Sequence, residues 1–141
     1  MATLQATNIL TGTTEGAKYN ATGSTSEIWT VATTTALASG DTISGPVIPA
    51  NTYLVDVLVS WTDVDSGSGA TFECGYTGTL GAFIATGNTT PASGGIVHAN
   101  VAGALGYTAT TNTTVLVTMT GTAGTPVAGT CRICVIYTAS P

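Results

Sequence analysis

From Glu27 onward, apolar residues come in short runs, each closed by a cluster of Gly, Pro, Asn, Asp or Ser. No segment carries a convincing apolar stripe at helical spacing; the nearest, Thr34–Ser39, is too short to hold a helix in water. The turn clusters recur roughly every 8 to 15 residues, the spacing of strands in an all-β sandwich or barrel. The runs are Glu27–Thr33, Asp41–Ser44, Tyr53–Thr62, Ala70–Tyr76, Ala82–Thr86, Leu105–Thr108, Thr114–Thr120 and Thr130–Thr138. Turn chemistry separates them at Ser39–Asp41, Ser44–Pro46, Pro49–Asn51, Asp65–Gly69, Ala92–Gly95 and Gly121–Pro126.

Period-two alternation assigns faces. In YLVDVLVSWT, Tyr53, Val55, Val57, Val59 and Trp61 share one face and read as continuous core. The opposite face, Leu54, Asp56, Leu58 and Ser60, is half apolar, as for a strand partly covered by a partner. In TCRICVIYT, Cys131, Ile133, Val135 and Tyr137 alternate with Arg132, Cys134 and Ile136. About eight such strands in two antiparallel sheets predict a jelly-roll-like sandwich, with an immunoglobulin-like sandwich as the alternative. Residues 1–26 are polar and irregular and read as an extended N-terminal arm, with one short strand at Thr3–Leu10; residues 27–141 form the sandwich domain.

Composition narrows the function. Charged residues make up 6% of the chain, with two Lys plus Arg, seven Asp plus Glu and a net charge of -5. Threonine takes their place. Two basic residues cannot displace counterions from a phosphate backbone or an anionic membrane, so nucleic acid and lipid are excluded as partners. So few acids and one histidine do not suit an enzyme. A surface of hydroxyls in place of charges suits a protein packed against copies of itself or a larger assembly. The stretch MATLQATNIL lacks the basic and apolar regions of a secretory signal, so folding in a cytosol is expected.

The residues that carry chemistry elsewhere have structural readings here. His98 sits in GGIVHANVAG, a loop-like stretch with no carboxylate or cysteine nearby in sequence. Asp63 and Asp65 in TDVDSGSG resemble the start of a calcium loop, but Gly67, Ser68 and Cys74 occupy positions that need ligands or the turn glycine. An Asx-rich hairpin connection is the reading preferred, with a weak divalent cation site as the alternative. Asp56 and Glu73 fall on outward strand faces, without a signal for an acid/base pair. Cys131 and Cys134 form a C-x-x-C within a strand, so their side chains point to opposite faces and cannot readily share a bond or metal. Pairing of Cys74 with either stays open. The aromatics Tyr19, Trp29, Tyr53, Trp61, Tyr76, Tyr107 and Tyr137 lie mostly within strand patterns and read as core. Sequons at Asn20, Asn88 and Asn112 are what a threonine-rich chain yields by chance. Catalytic, cofactor and metal residues are therefore assigned to none.

The run GDTISGPVIPANTYLVDVLVSWTDVDSGSGATFECGYTG, with its Ile48–Thr52 turn, D-x-D-S-G-x-G hairpin and strand ending at Cys74–Tyr76, resembles small structural proteins of tailed phages. The later NVAGALGYTATTNTTVLVTMTGTAGTPVAGTCRICVIY is similar to them too. The resemblance, over about Glu27 to Tyr137, is to head decoration (cement) proteins. It implies a jelly roll that forms trimers on the capsid exterior, with itself and the major capsid protein as partners and no catalytic residues.

Overall fold

The computed structural model describes residues 3–4, 18–21, 24–33 and 36–139, with side chains over 24–33 and 36–138. Eleven strands follow in chain order: β1 (Thr3–Leu4), β2 (Lys18–Ala21), β3 (Ser24–Thr33), β4 (Thr42–Ile48), β5 (Thr52–Trp61), β6 (Thr71–Tyr76), β7 (Thr79–Asn88), β8 (Gly95–His98), β9 (Thr108–Ala109), β10 (Thr113–Gly121) and β11 (Gly129–Ala139). Among the described residues the one helical element is a 3-10 turn, Thr90–Ala92, with Pro91 in it.

The first sheet has the order β1-β4-β10-β6-β7 and the second β2-β3-β11-β5-β8, with β9 also against β5. Except for the parallel β1–β4 contact, all pairs are antiparallel. The chain changes sheets between β1 and β2, β3 and β4, β4 and β5, β5 and β6, β7 and β8, β9 and β10, and β10 and β11; only β6–β7 closes as a hairpin within the first sheet. That interleaving of β4-β10-β6-β7 over β3-β11-β5-β8 is the double Greek key of a jelly roll, the fold read from the turn spacing. Two of the strands, β1 and β2, lie in the stretch assigned to the arm and extend the two sheets at their edges. Residues 5–10 of the strand expected at Thr3–Leu10 lie outside the described residues.

The core is the space between the sheets. Val57, Val59, Ile133 and Val135 from the second sheet meet Phe72, Cys74, Val117 and Ile43 from the first, all fully buried or nearly so. Trp61 packs on Phe72 with ring centroids 5.6 Å apart.

Two strands depart from the alternation expected of them. In β5 the register with β11 shifts between Ile136 and Tyr137: Asp56 pairs with Ile136, but Tyr137 pairs with Leu54, leaving Val55 as the extra residue. Such a bulge reverses which face each side chain takes. Leu54 is therefore buried at 1%, while Tyr53 and Val55, read as core, are exposed at 36% and 46%. In β4 the strand runs straight through Ser44–Pro46, expected to be a turn. The register with β10 slips between Thr114 and Leu116, so Pro46 sits where the ladder needs no N–H from it. Gly45 beside it is in close approach: an added Cβ would lie 3.0 Å from Ile133.

The β4–β5 turn does form at Ile48–Thr52. Asn51 takes the left-handed conformation at φ 60, which Asn tolerates better than most residues. The Asn51 amide donates to the Ala109 carbonyl and the Ala50 amide to Asn112 Oδ1. At the opposite flank of the first sheet, the edge of β7 is partly occupied. Asn100 Oδ1 accepts from the Ala85 amide, and the amides of Asn100 and Val101 donate to the Phe83 carbonyl.

Candidate functional site

The outer face of the second sheet is uncovered by any layer of the described chain and is mainly apolar. Register places its side chains in rows across the strands. The central row is Ile28, Cys134, Leu58 and His98. On one side runs Thr30, Arg132, Ser60 and Ile96; on the other Ser26, Ile136 and Asp56. Ile96 is 63% and Ile28 37% exposed, and a shallow groove of about 350 Å³ lies between these two rows, floored by Leu58 and Cys134. Arg132 rises from it, exposed, and makes no hydrogen bond or ion pair among the described residues. The half-apolar outward alternation of β5 and β11 was the sequence signal for this surface. Ile96 was missed, because β8 is only four residues long and has glycines at 94 and 95.

His98, expected in a loop, ends strand β8, and the fold brings Asp56 to it from β5. His98 Nδ1 and Asp56 Oδ2 are 2.8 Å apart, with the imidazole 64% exposed. The other Asp56 oxygen accepts from the Val57 amide at 2.8 Å and the Ala99 amide at 3.4 Å. Among the described residues no hydroxyl or thiol is hydrogen-bonded to His98. Cys134, on the same row but two strands away, has its thiol pushed up by burial and further by the Asp56 carboxylate. A nucleophilic cysteine needs the reverse. Glu73 points outward from β6 on the far sheet, its carboxylate over Gly81. Asp56 and Glu73 thus stand on opposite outer faces of the sandwich and do not form a pair.

Asp65 is fully buried and accepts four backbone hydrogen bonds. Gly67 and Thr125 donate to Oδ1 at 3.0 and 2.7 Å; Gly69 and Ala70 donate to Oδ2 at 3.0 and 2.9 Å. The Thr125 amide contributes most to holding this carboxyl far below the usual range; burial opposes it, and the amides of Ala70, Gly124 and Gly67 lower it further. Asp63 Oδ1 accepts from the Asp65 amide at 3.0 Å, an Asx turn. The TDVDSGSG stretch is therefore a loop organised around one carboxylate whose acceptor sites are filled by amides. Among the described residues no three of His, Cys, Asp and Glu converge as metal ligands would.

All three cysteines are free. Cys74 and Cys131 face each other from the two sheets inside the core, and burial raises both thiols, Cys131 being raised further by Cys74. Cys134 lies on the outer face, as the strand spacing required.

A second concavity, about 610 Å³, opens at one end of the sandwich. Tyr76 and Tyr107 line it with Asn112 and a series of threonines, and among the described residues no charged one does. Tyr76 and Tyr107 stack at 5.3 Å and both contact Phe83, so these two rings are core at one face and groove wall at the other.

No family model and no curated protein matches the sequence. Solved structures do. A chain of the capsid of Ralstonia phage GP4 superposes with a TM-score of 0.79 at 22% identity, covering 99% of each chain. The chain shares its fold with proteins of phage capsids. A chain of the cyanophage Pam1 capsid asymmetric unit gives 0.73 at 21% identity, over 88% of this chain and 91% of that one. A chain of the acidic stable capsid of Helicobacter pylori bacteriophage KHP30 gives 0.60 at 15%, over 89% and 94%.

Proposed function

We propose that the protein is a structural, non-enzymatic component of a phage virion: a decoration or cement protein that binds the outside of an assembled head as a homo-oligomer, a trimer, and stabilises the shell. The observation that carries this reading is the end-to-end likeness to a chain of a phage capsid, 99% of both chains in register with one jelly roll. The sparse charge supports it. An acidic chain with two basic residues is repelled by packaged DNA and suits the outer side of a shell. The apolar outer face of the second sheet supplies a surface that needs covering. The mechanism is linkage: a protein that binds the closed shell and not its dissociated subunits stabilises the closed shell by about 2.7 kcal/mol per site at 100 times its Kd.

The test mixes purified protein with empty shells of its phage and follows their thermal disruption. Saturating protein raises the disruption temperature, and the bound protein appears in purified virions at a fixed ratio to the major shell protein. Absence from virions, with no binding to shells, overturns the reading.

One observation favours a second reading, a carbohydrate- or receptor-binding module on a head or tail. The Tyr76–Tyr107 groove combines aromatic walls with hydroxyls and an amide and carries no charge, which fits a neutral polyol. A glycan array decides it: binding that is lost in Tyr107→Ala supports this reading, and an array without signal removes it.

A further inference from the structure

We propose that the outer face of the second sheet is a self-association surface, in which Arg132 of one copy pairs with Asp56 of a second across an apolar centre. The proposal rests on the self-association part of the reading above and is tested on the purified chain alone. Its failure therefore leaves shell binding untouched.

Arg132 is one of two basic residues in a chain of net charge -5, and it stands exposed beside an apolar groove without a hydrogen bond or ion pair among the described residues. Water serves this exposed guanidinium as long as the face is open, but an occupant that covers Ile28, Leu58, Ile96 and Cys134 would desolvate it and has to bring it a carboxylate. The same face holds that carboxylate. Asp56 lies on β5, in the row on the other side of the central Ile28–Cys134–Leu58 row from Arg132.

This layout is self-complementary. Turning a second copy by half a rotation about the line of the central row lays the two faces together. Residues of the central row then meet their own counterparts, and each flanking row meets the opposite one. Arg132 comes down beside Ile136 and reaches Asp56 one strand away, about 4.8 Å further across the sheet. Two reciprocal ion pairs flank a central row of Ile28, Cys134 and Leu58 that ends at His98, and Asp56 accepts Arg132 of the other copy beside its own His98 contact. That is the pattern of an isologous interface, apolar in the middle and polar at its margin. An acidic protein otherwise repels its own copies; here the one exposed guanidinium on the face reverses the sign locally. A two-fold contact joins copies in pairs, so a three-fold ring uses a different surface.

Sedimentation equilibrium of the full-length chain reads the outcome. The wild type forms pairs or, where the three-fold contact of the proposed trimer also holds at the concentration used, hexamers made of two trimers. Arg132→Glu weakens pairing about 100-fold or more, as loss of a desolvated charge pair does. Asp56→Arg does the same, and the double swap recovers pairing. A short bis-maleimide gives an independent reading on unaltered protein. Cys134 is the one cysteine not buried in the core, and it meets its counterpart near the axis, so cross-linked dimer forms and is lost in Cys134→Ser. A monomer at all concentrations, or an oligomer unchanged by Arg132→Glu and not linked through Cys134, overturns the proposal. So does a monomer whose Arg132→Glu variant no longer binds shells, which assigns the face to the shell protein.

Discussion

Thr125 and Asp65 lie on different loops, 60 positions apart, and are joined by a hydrogen bond of 2.7 Å from the Thr125 amide to Asp65 Oδ1. The bond is one of several that close this end of the sandwich. The Ser66 amide donates to the Thr125 carbonyl, the Val127 amide to the Val64 carbonyl, and Asp65 and Pro126 form an antiparallel bridge. One carboxylate thus holds the β5–β6 loop in shape and ties it to the β10–β11 loop.

Asp65→Asn keeps the size of the side chain but turns an NH2 group towards two of the four amide donors. Buried donors left unpaired are costly. The expected result is a fall in Tm of about 5 °C or more for a domain of this size, read by differential scanning calorimetry. An unchanged Tm would mean that the four amides are satisfied without the carboxylate. Because four amides already take up the Asp65 oxygens, adding or chelating divalent cations is expected to leave the wild-type Tm unchanged.

The same residue sets an acid limit. Its folded-state pKa is depressed below its ordinary value of 3.8, so the unfolded chain takes up the proton first. Its stabilising effect is complete above that value and is lost as the pH falls below it. Urea unfolding midpoints measured from pH 6 down to pH 2 are expected to drop for the wild type and to drop less for Asp65→Asn. Parallel curves for the two proteins would refute this assignment.

Thiol chemistry separates the three cysteines. A maleimide reagent modifies native protein once, slowly, at Cys134, whose half-buried thiol is shifted up by burial and by Asp56. Cys74 and Cys131 react only after unfolding, giving three modifications in denaturant. Mass spectrometry counts them. Fewer than three on denaturation without reductant would reveal a disulfide that the native fold does not contain.

Gly45 and Ile133 touch across the core. Gly45→Ala places a methyl 3.0 Å from two carbons of Ile133 and is expected to cost about 1–3 kcal/mol by overpacking. Ile133→Ala empties a fully buried site and costs about 2–5 kcal/mol. Combined, the two lose less than their sum, since each relieves the other. By contrast, His98→Ala removes one side-chain contact to Asp56 made by a largely exposed imidazole, and costs at most about 1 kcal/mol. A larger loss at His98 would assign the contact a structural role that its exposure does not predict.

The jelly roll was legible because its signal is local: turn residues and alternation mark strands wherever each strand is regular. The alternation of β11 followed from spacing alone, with Cys131 and Cys134 on opposite faces; which of the two faces is core did not, because both carry apolar residues. Errors fall where one residue breaks the period. No residue type announces the bulge at Val55, since it arises from the pairing of β5 with β11, so Tyr53 and Val55 were placed inside. Pro46 looked like a turn because the bulge that accommodates it belongs partly to β10. The Asp56–His98 contact was illegible for a different reason. It joins strands 42 positions apart, and β8 carries too few apolar residues to be seen as a strand. Asp65 was correctly placed in a turn, but its partner at Thr125 could not be known without the fold.

The cap on β7 bears on how a chain so poor in charge guards one edge of a sheet. Sheet margins normally avoid polymerising into fibrils by carrying lysine, a device that a protein with two basic residues lacks. Asn100 and Val101 instead occupy the mid-strand backbone groups with material from the same molecule. At Phe83 and Ala85 the β7 ladder is thereby closed to strand addition by another copy. Neighbours are left to meet through side chains, where recognition is selective and reversible.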